Sequence, residues 1–132
     1  MNYVEVFGGK KSQRQLSEQV VDFCLGYLMP RYSTLDISVN LNDLSKDNVK
    51  GWCLSICNRE FEIDVDNNQS DNDLIKTLCH EMVHVWQHAS GKLYHDHWNN
   101  VDHTNTPYAD RPWEIEAYNM EETLQKKFLS RK

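Results

Sequence analysis

His80-Glu81-Met82-Val83-His84 is the segment of this chain whose residue types and spacing are best suited to chemistry. On a helix, side chains four residues apart project from one face, about one turn from each other. At that spacing two imidazole nitrogens can reach one Zn2+ ion at roughly 2.0–2.1 Å each. Glu81 follows the first histidine and lies beside such an ion, where its carboxylate can take a proton from a bound water. Zinc brings the pKa of that water down to about 7. The chemistry implied is hydrolysis by an activated water, with His80 and His84 as metal ligands and Glu81 as general base.

A catalytic zinc takes three protein ligands plus water, so one ligand must come from elsewhere. An extended motif would need Gly at 87 and His at 90, but the chain has Gln87 and Ser90. That excludes the metzincin arrangement. The remaining sources are a carboxylate, Glu114 or Glu116, and a loop histidine, His95, His97 or His103. At about 100° per residue, Glu114 and Glu116 fall on opposite shoulders of an apolar stripe. Tyr118 and Leu129 share the Glu114 side, and Asn119, Thr123 and Lys127 the Glu116 side. The Glu114 side is therefore expected to be the more buried. His88 lies one turn beyond His84, but two turns from His80 is too far for one ion on a straight helix. It is expected to be exposed or to orient a ligand. Asp102 and Asp110 are candidates for bonding the far ring nitrogens of the ligating histidines. Trp86, Trp98 and Trp113 read as core or rim.

His80-Glu81-Met82-Val83-His84-Val85-Trp86-Gln87 resembles the active-site helix of small zincins, both bacterial and phage SprT-like peptidases and gluzincins. Glu114-Ile115-Glu116-Ala117 resembles the Glu-x-x-Ala helix of gluzincins, in which the Glu three residues before the Ala binds the metal. Carried over, that ligand is Glu114. The SprT-like pattern instead uses a third His beyond the active-site helix, and His95 or His97 is its nearest match here, without the Gly-rich context. The resemblance is closest over residues 78–87, looser over 111–118 and weak elsewhere. It implies Zn2+ as cofactor, a peptide or protein as substrate and peptide-bond hydrolysis as the reaction. It also implies a Tyr or His as oxyanion donor, for which Tyr108 is the candidate, with His103 and Arg111 in the same loop. The competing expectation is a non-catalytic zincin-like module, in which the metal pins two helices and the protein acts through a partner. A closing fourth ligand such as His95 would mark it.

The elements that must position these residues are legible in the apolar periodicity. Ser12 and Gln15 form a capping-box pattern ahead of Leu16, Val20, Phe23, Cys24, Tyr27 and Leu28 at helical spacing, with Pro30 ending the helix. Leu35 to Leu41, Trp52 to Ile56 and Phe61 to Val65 alternate as strands, the last two joined as a hairpin through Asn58-Arg59. Ser70 caps a second helix with the buried stripe Leu74, Ile75, Leu78, Met82, Val85 and Trp86, and Gly91 stops it. Lys92 to Arg111 reads as a long loop. Pro112 opens a third helix, with Trp113, Ala117, Met120, Leu124 and Phe128 as its stripe. The expectation is α+β: one minimal zincin-like domain over residues 1–132, with an N-terminal helix, a three-stranded mainly antiparallel sheet, the active-site helix, a long loop and a C-terminal helix. The strand Glu60–Asp66 is expected to border the cleft. Its outward Glu62, Asp64 and Asp66 would then favour a basic substrate, or else protect a sheet edge.

Composition narrows the setting. The chain has 132 residues, 39% hydrophobic and 26% charged, with a net charge of −6. That balance argues against nucleic acid as a partner, which needs clustered Lys and Arg. Lys10-Lys11 and Lys126-Lys127 with Arg131-Lys132 read as solvated ends. No apolar run approaches the roughly 20 residues of a membrane span, and the first residues lack a signal-peptide pattern. Cys24, Cys53, Cys57 and Cys79 read as reduced thiols, with Cys53 and Cys57 on one strand face. A cytoplasmic setting, in a bacterium or a phage-infected cell, is expected.

Overall fold

The computed structural model describes residues 1–131; Lys132, in the basic tail, lies outside them. Three strands follow the expected alternation: β2 (Asp36–Asn42), β3 (Gly51–Cys57) and β4 (Glu60–Asp66). Ile37, Val39 and Leu41 of β2 and Phe61, Ile63 and Val65 of β4 are buried on the inner face. A further strand, β1 (Tyr3–Gly8), precedes the first helix. Val4 and Val6 pack against the core. Gly8 closes β1 at φ 81°, where any Cβ would collide with the Leu41 carbonyl oxygen.

The strand order is β1-β2-β4-β3. The β3–β4 hairpin is antiparallel, whereas β1/β2 and β2/β4 are parallel. This corrects the expected three-stranded, mainly antiparallel sheet. Helix α1 (Lys11–Leu28) is the crossover that parallel β1 and β2 require. The segment 43–50 carries β3 to the outside, leaving β4 to pair with β2. Thus β4 is interior rather than a cleft-bordering edge. Its two aspartates are engaged locally: Asp64 accepts from Asn40 (3.0 Å) and the Trp52 indole (2.8 Å), and Asp66 from the Leu44 N–H (3.2 Å), while Glu62 is exposed. The expected basic substrate loses its basis.

On β3 the apolar set faces outward. Trp52, Leu54 and Ile56 are 40%, 54% and 50% exposed, while Gly51 and Cys53 lie opposite Val65 and Ile63 of the buried face. Alternation separates two faces but does not say which is covered. A bulge between Ser55 and Cys57 breaks the shared face expected for Cys53 and Cys57, leaving Cys57 exposed. All four cysteines are free thiols. The expected loop after α2 contains a second small sheet, antiparallel β5 (Leu93–Tyr94), β6 (His97–Trp98) and β7 (Val101–Asp102).

Helix α1 begins two residues earlier than the Ser12 pattern implied: Lys10 precedes it, and Gln13 Oε1 accepts the Lys10 N–H at 2.8 Å. Helix α2 (Asp71–Ala89) starts at Ser70, whose hydroxyl accepts the Asp73 N–H at 3.2 Å, with Asp71 and Asp73 at the positive end of the dipole. It ends before Gly91, at φ 83°. Helix α3 (Pro112–Ser130) has its proline in the first turn. Helix α2 is buried around most of its circumference because it sits among the sheet, α1 and α3. Among the described residues no helix is long and apolar enough to cross a membrane.

Candidate metal centre

Helix α2 uses its two sides differently. Leu78, Met82 and Val85 are fully buried in the apolar core. The His80 and His84 side faces α3. There His80 Nε2 lies 3.1 Å and His84 Nε2 3.2 Å from the same oxygen, Oε1 of Glu114. These three ligand atoms all fall within 4.8 Å of one another, and all three residues are buried. Among the described residues no other set of His, Cys, Asp and Glu converges in this way.

The far nitrogens are pinned. His80 Nδ1 donates to Glu121 Oε2 at 2.8 Å, and His84 Nδ1 to Gln87 Oε1 at 2.8 Å. The orientation of the Gln87 amide follows from its neighbours. Its Nε2 lies 3.0 Å from both the Trp113 carbonyl and Glu116 Oε1, two acceptors, so Oε1 must face His84. With a proton on each Nδ1, both Nε2 lone pairs point toward the Glu114 carboxylate. Three acceptors aimed at one point are unfavourable until protons or a cation fill the space between them. Two imidazoles held from behind and a carboxylate form a donor set that could hold a metal ion.

The pKa shifts have the same cause, the close approach of these groups. Burial disfavours charge on His84, but the bond and charge of Glu114 outweigh it and raise the His84 pKa. Burial likewise opposes ionisation of Glu114, yet the bonds from His80 and His84 drive its carboxyl below the usual range. Burial pushes Glu81 up, against the pull of His84 and His80. Glu81 and His80 lie on the wall of a cleft of about 520 Å³, which also takes in Gly51 of β3, Lys76, Tyr108 and Tyr118. That volume is in the range of small-ligand sites, about 300–1,000 Å³. Tyr108 sits at its margin in a short 3-10 turn and is 54% exposed. Burial first, then the Tyr118 hydroxyl and the Glu114 charge, raise its pKa, so it stays a donor.

Other sequence candidates lie elsewhere. Glu116 turns away from the three-residue cluster, accepting from Gln87 and from Lys92 at 2.8 Å. His95 and His97 are exposed beside a separate hollow with Tyr94 and Asn100. His103 bonds Thr106 Oγ1 at 3.0 Å and lies against Trp113. His88 is half-buried against Phe61, not exposed, and orients no ligand. Asp102 caps Thr104, and Asp110 is exposed, so neither orients a histidine. Glu121 and Gln87 do so instead. The signal for them was positional: Gln87 is one turn from His84, and Glu121 is two turns from Glu114 on the same face. The expectation of a buried Glu114 is met, but not for the reason given. Tyr118 and Leu129, on its side of the helix, are 55% and 53% exposed. Tyr118 lies over His80 with ring centroids 4.6 Å apart. Comparison with known proteins adds no assignment: no family model, curated protein or solved structure matches the chain.

Proposed function

We propose that this protein is a zinc-dependent peptidase, hydrolysing peptide bonds in a peptide or protein substrate, of the gluzincin-like kind its motifs resemble. The observation that carries the reading is the convergence of His80 Nε2, His84 Nε2 and Glu114 Oε1 beside Glu81 at an open cleft. His80, His84 and Glu114 would hold the ion. When bound, zinc supplies a Lewis acid that makes water a nucleophile near neutral pH and polarises a carbonyl.

The chain's own groups do the remaining work. Glu121 and Gln87 keep the protons on Nδ1 of His80 and His84, so that both Nε2 atoms present lone pairs. Glu81 accepts the proton of the attacking water at its carboxylate and returns it to the leaving amine. Burial raises its pKa, and so its basicity, toward the operating range. Tyr108, protonated at the cleft margin, donates to the oxygen on which charge develops. A purely structural metal would call for a fourth protein ligand, and His95 does not join the cluster. The free thiols suit a reducing, cytoplasmic setting in a bacterium or an infected cell.

The test is metal analysis together with cleavage of a broad peptide pool by wild type and Glu81→Gln. Expected is one zinc per chain in both, with cleavage in the wild type alone. A wild type that takes up no metal, or equal cleavage by both proteins, overturns the proposal.

A further inference from the structure

Behind each histidine of the centre stands an acceptor, and behind each acceptor a lysine. For His80 the sequence is short: Nδ1 to Glu121 Oε2 at 2.8 Å, with Lys76 Nζ 4.0 Å from the other oxygen and its side chain 45% exposed. For His84 it is longer and tighter. Nδ1 meets Gln87 Oε1 at 2.8 Å, Gln87 Nε2 meets Glu116 Oε1 at 3.0 Å, and Glu116 Oε2 meets Lys92 Nζ at 2.8 Å. Lys92 is clamped. Its ammonium lies 4.8 Å from the ring centroid of Trp86 and 4.6 Å from that of Trp98. Trp98 is held over it by the pairing of β6 with β5, where Leu93 faces Trp98.

From this geometry we infer that Lys92, Glu116 and Gln87 form a positioning relay, anchored by Trp86 and Trp98, that fixes the ring proton of His84 and so presents Nε2 to the metal. The inference rests on the metal reading above and gives the small β5–β7 sheet a task at the centre. Gln87 is fully buried, and its amide makes three bonds. Both amide hydrogens are taken, by Trp113 and Glu116, which leaves Oε1 to face His84. Glu116 can accept from Gln87 in this place because Lys92 neutralises it, and Lys92 is held on line by two indole faces, to which a cation is attracted. Without Lys92 the Glu116 carboxylate is drawn toward solvent. Gln87 then keeps only the Trp113 carbonyl as acceptor, and the amide is free to turn. None of these three residues touches the reacting atoms; they act through His84.

The test compares Lys92→Met, Lys92→Arg and Lys76→Met with the wild type in two measurements. The first is zinc affinity by chelator competition. The second is the His84 Nδ1–H signal in nitrogen-15 spectra of the metal-free protein, together with its exchange with water. For Lys92→Met the expected result is zinc binding weaker by about 10-fold, the lower end of what loss of an orienting partner costs, and a faster-exchanging His84 proton. Arginine pairs with carboxylates and stacks on aromatic rings, so Lys92→Arg should restore both. Lys76→Met, removing the looser partner, should change affinity less than Lys92→Met does. Wild-type affinity and an unchanged His84 proton in Lys92→Met overturn the relay. So does an equal loss in Lys92→Met and Lys92→Arg that tracks a lower melting temperature of the metal-free protein. Should the wild type bind no zinc, the peptidase proposal falls, while the His84 proton in Lys92→Met still decides the relay.

Discussion

The two sides of α2 solve opposite problems with one stretch of chain. Toward the core, Leu78, Met82 and Val85 are apolar and fully buried. Toward α3, His80, His84 and Gln87 are nearly as buried, yet every one is polar. The apolar side gains from burial without regard to direction, at about 1.5–3 kcal/mol for each large side chain. The polar side loses on burial unless each nitrogen and oxygen meets a partner; here both Nδ1 atoms and the Gln87 amide do, through Glu121, Gln87, Trp113 and Glu116, while the two Nε2 atoms face Glu114 across the space a proton or cation would fill. One side supplies the rigidity, and the other supplies directed lone pairs that the rigidity makes usable.

That contrast can be broken one side at a time. Glu81→Gln should reduce kcat by about 10²–10⁴, the usual contribution of a general base. It should leave zinc content and urea stability intact, because burial already disfavours the charge that Gln lacks. A coincident loss of stability would show that Glu81 belongs to the framework. Leu78→Ala, three residues away, should do the reverse. It should cost about 2–5 kcal/mol of stability by urea titration, with zinc still bound by whatever fraction remains folded. Equal stability in the variant would mean the apolar side is not what holds the helix.

Tyr108→Phe tests whether the cleft margin takes part. Loss of one oxyanion donor costs about 10²–10³ in kcat, and because the residue is exposed its removal should leave thermal unfolding unchanged. Full activity of the variant removes Tyr108 from the site. Zinc itself should sharpen the comparison. At a free concentration 100 times its Kd it should stabilise the wild type by about 2.7 kcal/mol, and chelation should remove that increment. His84→Ala should unfold at the same temperature with and without zinc. A zinc response as large as the wild type's would place the ion elsewhere.

The smallest effect concerns His88, on the same helix but outside the centre. Burial, then the charge of His84, lowers its pKa to about 4. The folded protein therefore holds it neutral where the unfolded chain, with an ordinary pKa near 6.5, takes up a proton. Stability should fall as pH drops from that ordinary range toward about 4. His88→Gln should flatten this slope, measured as the urea midpoint against pH. An unchanged slope assigns the acid sensitivity to other groups.

Much of the positioning was legible along the chain. Ser70, the acids after it, the period of Leu74, Leu78 and Met82, and Gly91 delimit α2 through purely local physics: capping, dipole and turn conformation. Pro112 and the stripe from Trp113 to Phe128 do the same for α3. The spacing of His80 and His84 is a property of any helix. The weak points were those where two remote segments had to be compared. β1 is short and only partly buried, so its alternation carried little signal. Trp52, Leu54 and Ile56 marked a strand correctly but faced the wrong way, since Gly51 and Cys53 take the inner side. Tyr118 and Leu129 mark the Glu114 side of α3 as the more apolar, yet both are exposed, and Glu114 is buried by the histidines opposite.

What the sequence by itself determined is the segment-level chemistry: a helix bearing two imidazoles and a carboxylate at one-turn spacing, and a later helix bearing two candidate acids. Periodicity and capping are local, and they read directly. Only the tertiary structure decided that β4 enters between β2 and β3, that Glu114 rather than Glu116 meets both histidines, and that Gln87 and Glu121 hold the far nitrogens. Those outcomes depend on the distance and rotation between α2 and α3. These follow from the packing of the whole core, a sum over contacts that no local spacing records.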